Sequence, residues 1–136
     1  MVAVKRPPDG QSAHDRIIDV VAQLWARPGV YNIATNPGSQ KNRWVGSAGV
    51  YPDLIGWAPH GGEDVAVWIA EVETTDSVSA MEAREQWRRY STAGAPLHLI
   101  VPRGYRAVAQ KFAVTAGVRL AGIHEWSVVN GYLQLS

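Results

Sequence analysis

Apolar residues recur at spacings of three and four between Ser12 and Ala26, where Ile17, Val20, Val21 and Leu24 form one stripe. That period predicts a helix. Ser12 with Asp15 three residues on resembles a capping box, with Asp replacing the usual Glu, and Pro28-Gly29 stops the helix. Val30 to Ala34 reads as a first strand, and Asn36 to Gly49, rich in Gly, Ser and Asn, as a loop or loose hairpin. Val50 to Trp57 reads as a second strand in which Pro52 marks an edge, a bulge or a start, because proline cannot donate to a ladder. Ala58 to Asp64 reads as a turn. Val65 to Thr74 is apolar almost without a break before Glu71, the pattern of a strand buried on both faces. Ser79 and Glu82 form a capping box for a second helix, which ends at Gly94; Ala83, Trp87 and Tyr90 share its apolar stripe. Leu97 to Val101 is a short strand, and Tyr105 to Ala116 a helix with Val108 and Phe112 inward. Gly122 to Trp126 and Val128 to Leu135 are further strands, with a turn at Asn130-Gly131. The order αβββαβαβ predicts an α/β fold, a mixed sheet with helices on both faces.

Composition narrows the picture. The 136 residues suit one domain, expected over 12–136, behind a mobile lead-in at 1–11 containing Pro7, Pro8 and Gly10. No apolar run approaches a membrane span, and Met1 to Pro8 lacks the apolar core of a secretory leader. The absence of cysteine excludes disulfides and thiolate metal sites and fits a cytoplasmic location. A net charge of +1 means that affinity for a polyanion must come from local patches.

The candidate chemistry lies in Asp53, in Tyr51-Pro52-Asp53-Leu54, and in Glu71-Val72-Glu73. Residues two apart on a strand share a face, so Glu71 and Glu73 project together while Val72 points away. If the two strands are neighbours, three carboxylates converge. Buried carboxylates need a cation or shared protons, and hard oxygen ligands suit Mg²⁺ or Mn²⁺.

Pro52-Asp53, a strand bearing Glu71-x-Glu73 and a following helix resemble the PD-(D/E)xK nuclease superfamily, over roughly residues 12–102. The resemblance implies a restriction-endonuclease-like core. It also implies a Mg²⁺ or Mn²⁺ site made by Asp53, Glu71 and the Val72 carbonyl, and hydrolysis of phosphodiester bonds, with DNA the expected substrate. The family usually has lysine where this chain has Glu73. A glutamate there could hold a second metal or accept the proton of the attacking water. Gln86 and Tyr90 match the Q-x-x-x-Y of RecB-like members, and Asp15 stands where resolvase-like members carry an accessory acid, with neighbouring His14 as a competitor. The departure at Glu73 motivates an alternative, a catalytically inactive nuclease-fold protein that binds nucleic acid or assembles with partners.

Lys41 and Arg43 in the loop, and Arg84 and Arg88 one helical turn apart, are the candidate phosphate contacts, with Arg89 beside them. Trp44 is the candidate for stacking on a base. Their bland counterpart is a solvated helix face pairing Glu85 with Arg88 or Arg89. His14, His60, His98 and His124 have no metal-ligand spacing and read as ordinary histidines. One active centre per chain implies a homodimer if both strands of a duplex are cut.

Overall fold

A computed structural model describes the backbone of residues 2–3 and 10–136 and the side chains of residues 13–136. Seven strands form one mixed sheet in the order β1-β7-β6-β5-β4-β3-β2. Strands β1 (Val2–Ala3) and β2 (Asn32–Thr35) are its edges; between them lie β3 (Leu54–His60), β4 (Glu63–Val72), β5 (Leu97–Pro102), β6 (Gly122–Val129) and β7 (Tyr132–Leu135). Among the described strands the parallel pairings are β4–β5 and β5–β6, each joined through a helical crossover.

Helix α1 (Gly10–Trp25) covers one face, where Ile17, Ile18, Val20 and Val21 pack on Leu54, Ala70, Val72, Ile100 and Leu133. The opposite face carries α2 (Ala80–Glu82), a π-helical stretch (Ala83–Trp87), α3 (Arg88–Ser91) and α4 (Arg106–Thr115). Ala83, Trp87, Tyr90, Ala109 and Ala113 pack there on Ile55, Ile69, Leu97, Leu99 and Val101. The sheet is thus buried between two apolar layers, as the sequence pattern implies. Among the described residues, no helix is long and apolar enough to cross a membrane.

Several elements depart from expectation. Helix α1 begins at Gly10, which puts Ser12 inside it, and the Asp15 carboxylate accepts from Gly38 N instead of serving the helix end. Leu24 is exposed; Trp25 turns inward in its place, edge-on to Trp68. Strand β3 starts after Pro52 and runs through Pro59 to His60, leaving only Gly61-Gly62 as the turn. Pro59 is tolerated because β2 pairs β3 no further than Trp57. Strand β4 is buried only in its second half. Its pairing with β5 begins at Ile69, so Val65 and Val67 project with the β3–β4 hairpin and are exposed. In α4 the buried residues are Ala109 and Ala113, with Val108 and Phe112 half-buried. Within the expected lead-in, Val2–Ala3 pairs with β7, and residues 1 and 4–9 lie outside the described residues. The second helix is broken by its π-helical stretch and ends at Ser91, and the first strand is shifted to Asn32–Thr35; the cap and the last turn form as expected. Ser79 Oγ accepts from Glu82 N, and both Asn130 and Gly131 adopt positive φ to turn β6 into β7.

Gly56 sits opposite Trp68, and a Cβ built there would lie 2.3 Å from the indole Cε2. Trp68 packs edge-on against Trp25 and Tyr31, which resist displacement of the ring. Gly56→Ala is therefore expected to cost about 1–3 kcal/mol by overpacking. An unchanged denaturant midpoint would show that the indole can move after all.

Candidate active site

The antiparallel register of β3 and β4 pairs Leu54 with Ala70, so the next positions outward bring Asp53 beside Glu71. Each acid holds the other's strand. Asp53 N donates to Glu71 Oε1 at 2.8 Å, and Val72 N donates to Asp53 Oδ2 at 2.8 Å. Asn36 fixes the approach to Asp53, donating to the Pro52 carbonyl while its backbone N–H donates to the Asp53 carbonyl. Alternation then does the rest: Val72 packs under α1, and Glu73 turns to the other face to meet Trp87.

Glu73 is held at three points. Its N–H donates to the Ile100 carbonyl, its carbonyl accepts from Trp126 Nε1 at 2.9 Å, and its Oε1 accepts from Trp87 Nε1 at 2.9 Å. Trp87 reaches it from the end of the π-helical stretch, where Arg88 N–H bonds the Ala83 carbonyl five residues back. Such widened turns are frequent at functional sites. Gln86, on the same stretch, lies 3.4 Å from the Tyr90 hydroxyl.

Asp53, Glu71, Glu73, Gln86 and Tyr90 all line one cleft of about 580 Å³. Five carboxylates border it, those three with Asp76 and Glu82, against three basic side chains, His14, Lys41 and Arg89. The three central acids are at most 8% exposed. Burial, then the charges of Asp53 and Glu73, push Glu71 well above the usual carboxylate range. Burial likewise pushes Glu73 up to about 8, against the opposing hydrogen bonds of Ser77 and Trp87.

His14 is the site residue that spacing did not reveal. Its Nε2 lies 3.0 Å from Asp53 Oδ2 and its Nδ1 lies 3.2 Å from Asp15 Oδ1. Burial works against its charge, but the bond to Asp53 and then Asp15 prevail, and the imidazole is raised to about 9. It is therefore the resident cation of the acid cluster at neutral pH. Asp15 stands one step behind it, touching His14 and Gly38 N rather than the cleft. His98 and His124 are not isolated either; they pair with each other at 3.1 Å.

The predicted basic contacts separate. Lys41 lines the cleft. Arg43 is committed elsewhere, 3.4 Å from Asp64 and 4.0 Å above the Trp57 ring. Trp44 is 60% exposed but does not border the cleft; Arg84 and Arg88 are exposed on the helix and do not border it, whereas Arg89 does. No protein-family model matches this chain, and neither a characterised protein nor a solved structure matches it.

Among the described residues, no three His, Asp or Glu side chains are disposed to hold a metal ion together. One oxygen each of Asp53, Glu71 and Glu73 faces a backbone or indole N–H. Each carboxylate retains further acceptor capacity on its second oxygen.

The raised values of Glu73 and His14 have one sign. Each group binds its proton more tightly folded than unfolded, so its contribution to stability is full below the unfolded value and lost as pH rises through the folded one. For Glu73 the loss runs from 4.5 to about 8, and for His14 from 6.5 to about 9. In metal-free buffer, Tm is expected to fall by roughly 5–10 °C between pH 5 and pH 9. A flat profile in that window would mean that the two groups titrate as they do in the unfolded chain.

Proposed function

We propose that this chain is a divalent-metal-dependent endonuclease with a restriction-endonuclease-like core, hydrolysing phosphodiester bonds, in DNA in the first instance. The observation that carries the reading is the register-locked pair: two acids eighteen residues apart, Asp53 and Glu71, grip each other's strands at the mouth of one acid-rich cleft. The element order from α1 to β6 supports it, as does the placement of Gln86 and Tyr90 on that cleft.

The donor chemistry fits Mg²⁺ or Mn²⁺. Buried carboxylate oxygens outnumber the cationic groups around them, and hard cations take such ligands. Asp53, Glu71 and the Val72 carbonyl would hold the ion, with Glu73 as the adjoining acid, and its positive charge would offset that gathered by the pentavalent transition state. The chain's own groups do the remaining work. Lys41, its ammonium over the Tyr51 ring, and Arg89 border the cleft and supply cations that can seat phosphates. Gln86 offers an amide donor to a nonbridging oxygen. His14 keeps its proton between Asp53 and Asp15 and so fixes the orientation of the Asp53 carboxylate.

A second reading, a nuclease-fold module that binds nucleic acid without cutting it, is favoured by one observation. Glu73 occupies the position of the usual lysine and has spent one oxygen on Trp87. Supercoiled plasmid, single-stranded DNA and RNA, each incubated with Mg²⁺, Mn²⁺ or EDTA, separate the two. Cleavage that depends on the ion and stops with EDTA supports the enzyme. Retained binding with no turnover under any divalent ion supports the module, and overturns the enzyme.

A further inference from the structure

On the α1 face of the sheet, at the N-terminal ends of β5 and β6, a second small cavity of about 270 Å³ is bordered by Trp25, Tyr31, Trp68, His98 and His124, with Leu24 and the guanidinium-bearing Arg27 completing its wall. It shares no lining residue with the acid cleft. Across it, His98 Nδ1 and His124 Nε2 stand 3.1 Å apart, their rings tilted by 30°. Two imidazole nitrogens on one tetrahedral or square-planar ion, each at about 2.0–2.1 Å, are themselves roughly 2.9–3.4 Å apart. The pair is therefore already at the separation that a shared metal demands.

The surroundings hold that separation. The Trp25 ring lies 4.9 Å from His124 and 5.9 Å from His98, edge-on to both, and Trp68 packs on Trp25. Gly122 lets the rings approach, since a Cβ there would lie 3.1 Å from His98 Nδ1 and 3.3 Å from His124 Nε2. A neutral imidazole carries one N–H, so the 3.1 Å contact is an N–H···N hydrogen bond, and a metal ion shared by the two facing nitrogens would displace that one proton.

We propose that His98 and His124 form a two-imidazole chelate for a transition-metal ion of the Zn²⁺, Ni²⁺ or Cu²⁺ class, with water completing the shell from the cavity. Nitrogen ligands select this class, whereas the carboxylate cleft selects Mg²⁺ or Mn²⁺, so the chain carries two sites of opposite preference. The chelate stands or falls independently of the nuclease reading.

The test is titration of the full chain at pH 7.5 with Zn²⁺ by calorimetry and with Cu²⁺ by tryptophan fluorescence, since Trp25 adjoins both rings. One equivalent should bind, with quenching by Cu²⁺. His98→Gln with His124→Gln should abolish this, although His14 and His60 remain; Asp53→Ala should not. Gly122→Ala, which removes no ligand, should weaken binding at least tenfold by parting the rings. Should the double variant lose its fold, histidine ring ¹⁵N shifts of the unmodified chain decide. Zn²⁺ must move His98 Nδ1 and His124 Nε2 first. Undiminished binding by the double variant, or shifts confined to His14 and His60, overturns the assignment.

Discussion

Asp53→Asn is expected to abolish metal-dependent cleavage and to cost only the ion pair with His14, and Asp53→Ala to abolish cleavage and to orphan a buried backbone donor as well. The two variants differ because Asp53, besides its charge toward His14 and the proposed cation, serves a backbone donor. Its Oδ2 accepts from Val72 N, a buried backbone donor. Asparagine retains an acceptor oxygen for that donor; alanine leaves it unpaired, at about 1–3 kcal/mol. Both lose the charge that would help to hold the cation, and removing one group that stabilises transition-state charge slows catalysis by on the order of 10²–10³-fold or more. Glu71→Gln should behave similarly, since a glutamine oxygen can still accept from Asp53 N. Comparing Asp53→Asn with the unmodified chain in Mg²⁺, under conditions in which both are folded by circular dichroism, isolates the chemical role. If the asparagine variant cuts at the original rate, Asp53 is no metal ligand and the mechanism proposed for the cleft fails.

That Asp53 and Glu71 adjoin was legible because it follows from pattern alone. Two apolar runs with acids at the near end of one and the far end of the other must bring the acids together if the runs pair antiparallel. The pairing of Leu54 with Ala70 is such a register. The alternation that puts Val72 under α1 and turns Glu73 away from it was legible for the same reason. Contacts made by chain reversal through space carry no such periodic trace. His14 sits thirty-nine residues from Asp53, and His98 twenty-six from His124. Each looks like a solitary histidine until α1 is laid across the sheet or β5 and β6 are set side by side. The role of Arg43 was hidden in the same way, because a basic loop residue cannot announce that Asp64 and the Trp57 ring will claim it. The extent of β3 was misjudged for a local reason. Pro59 reads as a breaker, and only the short reach of β2 makes it harmless.

Glu73→Lys, which would restore the residue that the resembled family usually carries, is expected to destabilise this chain by about 1–3 kcal/mol rather than repair it. Trp87 is fully buried, and its Nε1 donates to Glu73 Oε1. Lysine has three donors and no acceptor, so the indole N–H would lose its partner in a place that water does not reach. Attraction between the new ammonium and Glu71 or Asp53 offsets part of its own desolvation but does nothing for Trp87. Glu73→Gln provides the control, because it keeps an acceptor for the indole and removes the titration. It should be close to neutral in stability and should flatten the fall of Tm above pH 5. The cause can then be located with Trp87→Phe, which deletes the N–H and leaves a smaller ring. If the orphaned donor is the source of the penalty, Glu73→Lys should cost at least about 1 kcal/mol less in the Trp87→Phe background than alone. Strict additivity of the two changes in urea unfolding would show that the glutamate and the indole are not coupled. Coupling would mean that position 73 cannot accept lysine without a change at Trp87, because the π-helical turn presents the indole N–H to an acceptor there.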